Sequence, residues 1–156
     1  MHDLVKLIHL TAAILWMGGM AFMLIALRPA LMAQMEPPSR ARLMAEVMRR
    51  FFAVVAVSVL ALFATGGSLY AAAFRAAREA TGVGIVPLGW NLMAVIGVVM
   101  MLIFGHIYFA GLTKFKRSVA ADAWPLAAKT GAQIHTLVIV NFVLGWLAIA
   151  AVRLVH

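Results

Sequence analysis

The sequence predicts an all-α integral membrane protein, a four-transmembrane-helix bundle, and three observations carry that expectation. Of 156 residues, 65% are hydrophobic and 12% charged, and the mean hydropathy is +1.03, far above the apolar share of a water-soluble domain. Four apolar runs are each long enough to cross about 30 Å of hydrocarbon at about 1.5 Å per residue. Their continuity demands helices, because a membrane barrel is built from short segments of alternating polarity. A single domain, residues 1–156, accommodates all of them.

The first run extends from Leu4 to Leu27, interrupted only by Lys6 and His9. It passes through Trp16-Met17-Gly18-Gly19, beyond the apolar length of a secretory leader, and no small-x-small site followed by polar sequence appears, so it reads as a helix. After Arg28-Pro29 and Glu36-Pro37-Pro38, Ser39 is placed as an N-cap. Leu43 with Val47 and Met44 with Met48 recur at i, i+4, which predicts that the second helix begins outside the bilayer before its span, Phe51 to Phe74. Arg75 to Pro87, with Thr81-Gly82-Val83-Gly84, reads as a short turn. The third span, Leu88 to Leu112, holds one titratable group, His106, and closes on Lys114, Lys116 and Arg117. Asp122 to Trp124-Pro125 predicts a short interfacial helix with Trp124 at headgroup depth, before a fourth span from Ile134 to Val152 with His135 at its entry.

Charge orients these spans. Lys plus Arg number 13 against 5 acids, a net charge of +8. The basic residues lie between apolar runs, so they are topology determinants at a lipid bilayer and not a nucleic-acid face. Arg28, Arg40, Arg42, Arg49, Arg50, Lys114, Lys116, Arg117 and Lys129 fall on one side, against Lys6, Arg75, Arg78 and Arg153 on the other. The positive-inside rule makes the richer side cytoplasmic and places both termini in the periplasm of a bacterial inner membrane. The chain has no cysteine, which excludes thiolate metal sites, and Asp3, Glu36, Glu46, Glu79 and Asp122 all lie outside the hydrocarbon, which argues against a buried-carboxylate proton path.

An ionisable group inside a span is costly, so the histidines lead the candidate sites. His106 and His135 share an inner depth on consecutive helices, an arrangement that suits two axial imidazoles of a haem and equally suits ordinary hydrogen bonding. His9 lies toward the outer side, about 18 Å in depth from His106, so these two cannot ligate one metal. His9 with Met93 would form a His and Met ligand pair, and His9 with Asn91 a neutral hydrogen bond. His9, Trp16 and Met23 share a face at i+7. Ser58, Thr65, Ser68 and Asn141 read as interhelical hydrogen-bonding groups. The 11 methionines include Met17, Met20, Met23 and Met100, thioethers that with His9 would suit passage of Cu(I).

Leu7-Ile8-His9-Leu10 followed by Trp16-Met17-Gly18-Gly19 resembles the opening of CopD-like and HemJ-like small bacterial membrane proteins, relatives of the di-haem cytochrome b superfamily. Arg28-Pro29, Glu36-Pro37-Pro38, Arg50-Phe51-Phe52, His106-Ile107-Tyr108-Phe109 and Asn141 to Gly145 extend the resemblance over most of the chain. It implies a four-helix bundle with b-type haem, His9 and His106 being the matching positions. The later lysine of HemJ-like proteins has no counterpart inside the third span, and the larger periplasmic portion of the copper-resistance members is missing. The leading expectation is a haem b-binding membrane protein that passes electrons from a donor such as quinol. Its ligands would come from His9, Met93, His106 and His135, with Trp16 and Trp146 lining the macrocycle and Arg28 with Arg49-Arg50 pairing with its propionates or with anionic lipid headgroups. A copper permease and a cofactor-free assembly subunit are the rivals, and association with further copies of the chain is open.

Overall fold

The structure, a computed structural model, describes residues 2–155. Four long helices account for nearly all of them: α1 (His2–Gln34), α2 (Pro37–Thr81), α3 (Leu88–Ala120) and α4 (Trp124–Leu154), each apolar enough to cross a membrane. The protein is thus a multi-pass membrane bundle, as the hydropathy predicts. α1 packs along α2 and α3 along α4, while α1 meets α4 and α2 meets α3, so α1 and α3 stand on one diagonal. Large apolar side chains face outward, among them Phe109 at 77% and Leu60 at 71% exposure, which lipid solvates as well as a protein interior would.

The helices outrun the apolar spans at both ends, because backbone hydrogen bonding continues until a residue interrupts it. α1 runs past Arg28-Pro29 through a π turn at Met23–Leu27, in which Arg28 N–H reaches back to Met23 O. That wider turn sits just ahead of Pro29, which lacks an N–H and would crowd the carbonyl four residues earlier. α2 starts at Pro37 with Glu36, not Ser39, as its N-cap, since proline tolerates the first helical position where no donor is needed. It continues beyond Phe74 to Thr81, so the expected turn from Arg75 is mostly helix. Gly82 ends it with φ 74°, a left-handed conformation that glycine adopts without strain. A second π turn, Ile107–Gly111, directly follows His106 in α3. Trp124 begins α4 itself, and no separate interfacial helix precedes it. The tight connection is made by Asp122 at φ 52°, with Ala123 N–H donating to Ser118 O.

The core is concentrated toward the basic end. Trp16, Phe52 and Phe104 meet edge to face, with ring centroids 6.0 Å apart for both Trp16–Phe104 and Phe52–Phe104, and Met20, Val55, Ile107, Ile134 and Val138 pack around them. Ser58, Ser118, Thr130 and Asn141 are buried polar residues; the three hydroxyls donate to carbonyls of their own helices, whereas Asn141, at 1% exposure, donates from Nδ2 to Met100 O across α3–α4 at 3.2 Å. At the other end α3 and α4 approach so closely that a side chain at Gly89 would strike the carbonyl oxygens of Ala151 and Val155.

Candidate functional site

Two polar constellations lie at opposite ends of the bundle. At the basic-poor end, the outer one in the orientation that the charge distribution predicts, His9 on α1 reaches α2, its Nδ1 2.9 Å from Thr65 Oγ1 and its Cε1 lying against Gly66. The protons in this pair are assigned by the rest of the network. Thr65 has one hydroxyl hydrogen and donates it to Ala61 O, so its oxygen accepts from His9. His9 is therefore an Nδ1–H imidazole that donates to Thr65 and keeps a lone pair on Nε2, to which no described residue donates. A bound Nδ1–H that sets the tautomer and ring orientation is the arrangement found behind metal-ligating histidines. One turn further along α2, Tyr70 donates its hydroxyl to Asn91 Oδ1 on α3, and Asn91 Nδ2 donates to Val86 O.

At the inner end α1, α2 and α4 enclose a cavity of about 290 Å³. Its walls are apolar and sulfur-rich, with Met23, Met44 and Met48, and its charged lining consists of Arg28, Arg40 and His135. No carboxylate lines it, and neither Arg28 nor Arg40 has an acidic partner among the described residues. Three other arginines of this end form ion pairs outside the cavity. Arg42 pairs with Asp122 at 3.1 Å and lies 5.2 Å from the Trp124 ring centroid, while Arg49 and Arg50 bracket Glu46 at 2.7 and 2.6 Å. Hydrogen bonds from Arg49 and then Arg50 hold the Glu46 carboxyl down at about 2.

Of the residues singled out in the sequence, the structure brings His135 and Arg28 together in this cavity. His106 does share their inner depth, since the Met100–Asn141 and Gly111–Ile134 contacts bracket it against α4. It faces outward, however, and does not line the cavity. Its neighbours Phe104 and Ile107 take the core-facing positions. Met93 is half-buried on α3, diagonal to the α1 helix that carries His9. Trp16 is a core ring and Trp146 is exposed. Arg50 belongs to the Glu46 pair and stands apart from the cavity. Met20, Met23 and Met100 are buried packing residues and Met17 is half-buried. Among the described residues, no group of three or more His, Asp or Glu converges on a metal position.

Three participants escaped the sequence reading: Thr65 as the partner of His9, and Arg40 and Trp124 as cavity lining. A signal for Arg40 existed, because Arg40, Met44 and Met48 recur every four residues on one helical row, as Leu24, Arg28 and Met32 do on α1. No known family, curated protein or solved structure matches the chain, and its function is read from its own side chains.

Proposed function

We propose that this protein is a bacterial inner-membrane haem b-binding protein that accepts electrons from a membrane donor of the quinol class, in which His9 would hold the haem iron through Nε2. The observation that carries the reading is the His9–Thr65–Ala61 network, which leaves one imidazole nitrogen bonded and the other with a free lone pair within a membrane span. The donor chemistry fits, since neutral imidazole is a common haem ligand. Bound there, the haem would supply one-electron redox chemistry that the side chains of this chain lack.

The chain's own contribution is orientation. Thr65 holds the Nδ1 proton and fixes the ring plane, and Gly66 lets the imidazole lie against α2 without a side chain in its way. The Tyr70–Asn91 hydrogen bond ties α2 to α3 at this same end. The resemblance to CopD-like and HemJ-like proteins supports the reading through His9. The excess of basic residues at the other end supports an orientation with both termini periplasmic and His9 toward the periplasmic side.

The test is the visible spectrum of the detergent-purified protein, oxidised and then dithionite-reduced, after expression with added haem. A Soret band with sharp reduced α and β bands is expected, lost in His9→Ala. Thr65→Val should weaken haem retention by roughly 10- to 100-fold, and Thr65→Ser should restore it. A colourless wild-type protein, or a spectrum unchanged in His9→Ala, overturns the proposal.

A further inference from the structure

We infer that the inner cavity is a binding site for one anionic phospholipid, its phosphate held by Arg28, Arg40 and His135 and an acyl chain lodged among Met23, Met44 and Met48. This inference is independent of haem at His9, which belongs to the opposite end of the bundle.

Charge complementarity carries the argument. Of the acids near this end, Asp122 pairs with Arg42 and Glu46 with Arg49 and Arg50, while Glu36, exposed at the start of α2, forms no ion pair and does not line the cavity. Arg117 of this end is also without an acidic partner, but it is exposed to the surroundings, whereas Arg28 and Arg40 are half-buried in the cavity wall beside an imidazole. Half-burying two like charges in apolar surroundings is unfavourable unless an anion joins them, and no carboxylate among the described residues lines the cavity or lies within ion-pair distance of either arginine. Arginine is suited to the task, because its planar fork matches phosphate oxygens in pairs.

Size and position specify the rest of the ligand. A volume of about 290 Å³ is at the small end for a small-molecule site, where about 300–1,000 Å³ is usual, and it suits an alkyl chain better than a flat macrocycle. Unbranched thioether side chains fill and yield around such a flexible chain. The cavity lies on the arginine-rich side of the bundle, and Trp124, an interfacial residue type, lines it. Anionic lipid of that leaflet is the nearest abundant phosphate attached to a hydrocarbon chain.

The experiment is native mass spectrometry of the full chain purified in a neutral detergent, titrated separately with phosphatidylglycerol, phosphatidylcholine and inorganic phosphate, with the thermal midpoint measured in parallel. One phosphatidylglycerol per chain should be retained preferentially and should raise the midpoint. The double variant Arg28→Gln/Arg40→Gln should bind it at least roughly tenfold more weakly, while Lys116→Gln, outside the cavity, binds as wild type. Should the double variant fold poorly, His135→Gln in the otherwise unaltered chain is read in the same way and should also weaken retention. Equal retention of phosphatidylcholine, or phosphatidylglycerol binding unchanged in both sets of variants, overturns the site. An equal midpoint shift from inorganic phosphate alone overturns the lipid assignment in favour of a free-anion site.

Discussion

The two ends of the bundle solve the same problem in opposite ways. At the outer end, polar side chains in the spans are neutral and find partners within the chain: His9 with Thr65, and Tyr70 with Asn91. At the inner end the groups are charged: Arg42, Arg49 and Arg50 find carboxylates outside the cavity, the remaining basic residues outside it are exposed, and Arg28 and Arg40 are half-buried inside it without an acid. Neutral groups in an apolar medium can complete their hydrogen bonding locally at modest net gain, whereas a half-buried charge needs a countercharge. An orphaned pair of charges therefore points outward to a ligand, and a completed neutral network points to a residue being held in place.

Breaking the element that joins the two ends should have the largest effect. Trp16→Ala removes the ring packed edge-on against Phe104 and should cost about 3 kcal/mol, toward the low end for buried aromatics because lipid replaces part of the lost apolar contact. Denaturation in mixed micelles should show a single earlier transition, and two separate transitions would mean that the ends unfold independently. Tyr70→Phe sharpens the contrast with a smaller change, because Asn91 Oδ1 loses its donor. It should cost about 0.5–1 kcal/mol, and the loss should be the same at low and high salt, since no charge is involved. A salt-dependent loss would place the neutral network under electrostatic control. The smallest effect belongs to the exposed Glu46 cluster. Its carboxyl is held down at about 2 against an ordinary 4.5, so its contribution is complete above 4.5 and is lost as the pH falls through about 2. The thermal midpoint should therefore drop slightly more in wild type than in Glu46→Gln between neutral pH and about pH 3, and parallel curves would remove the pair from the stability of this end.

Most of the helical architecture was legible in the sequence, because an 18-residue apolar run has few ways to satisfy its backbone in lipid. The helix ends were less so. Hydropathy marks where lipid stops, but α2 continues through Arg75 and Arg78 until Gly82, and α4 begins at Trp124, ten residues before the apolar run at Ile134. The candidate site was legible in part. His135 and Arg28 do share a cavity, and His106 and His135 do share a depth, yet His106 faces away from the bundle. Helical spacing assigns residues to a common face and leaves open which neighbour that face meets. Thr65 illustrates the gap, since its i, i−4 bond to Ala61 is local, whereas its bond to His9 spans 56 residues of chain.

The sequence by itself determined the solvent of this protein, the number of its crossings, the location of its charge and the absence of thiol or buried-carboxylate chemistry, because these follow from composition and from periodicity along one helix. Only the tertiary structure decided that Thr65 sets the tautomer of His9, that Arg42, Arg49 and Arg50 find carboxylates while Arg28 and Arg40 line a cavity without one, and that His106 is turned outward. Those outcomes depend on how four helices rotate against one another, which shape and packing settle where hydropathy is nearly uniform around each helix.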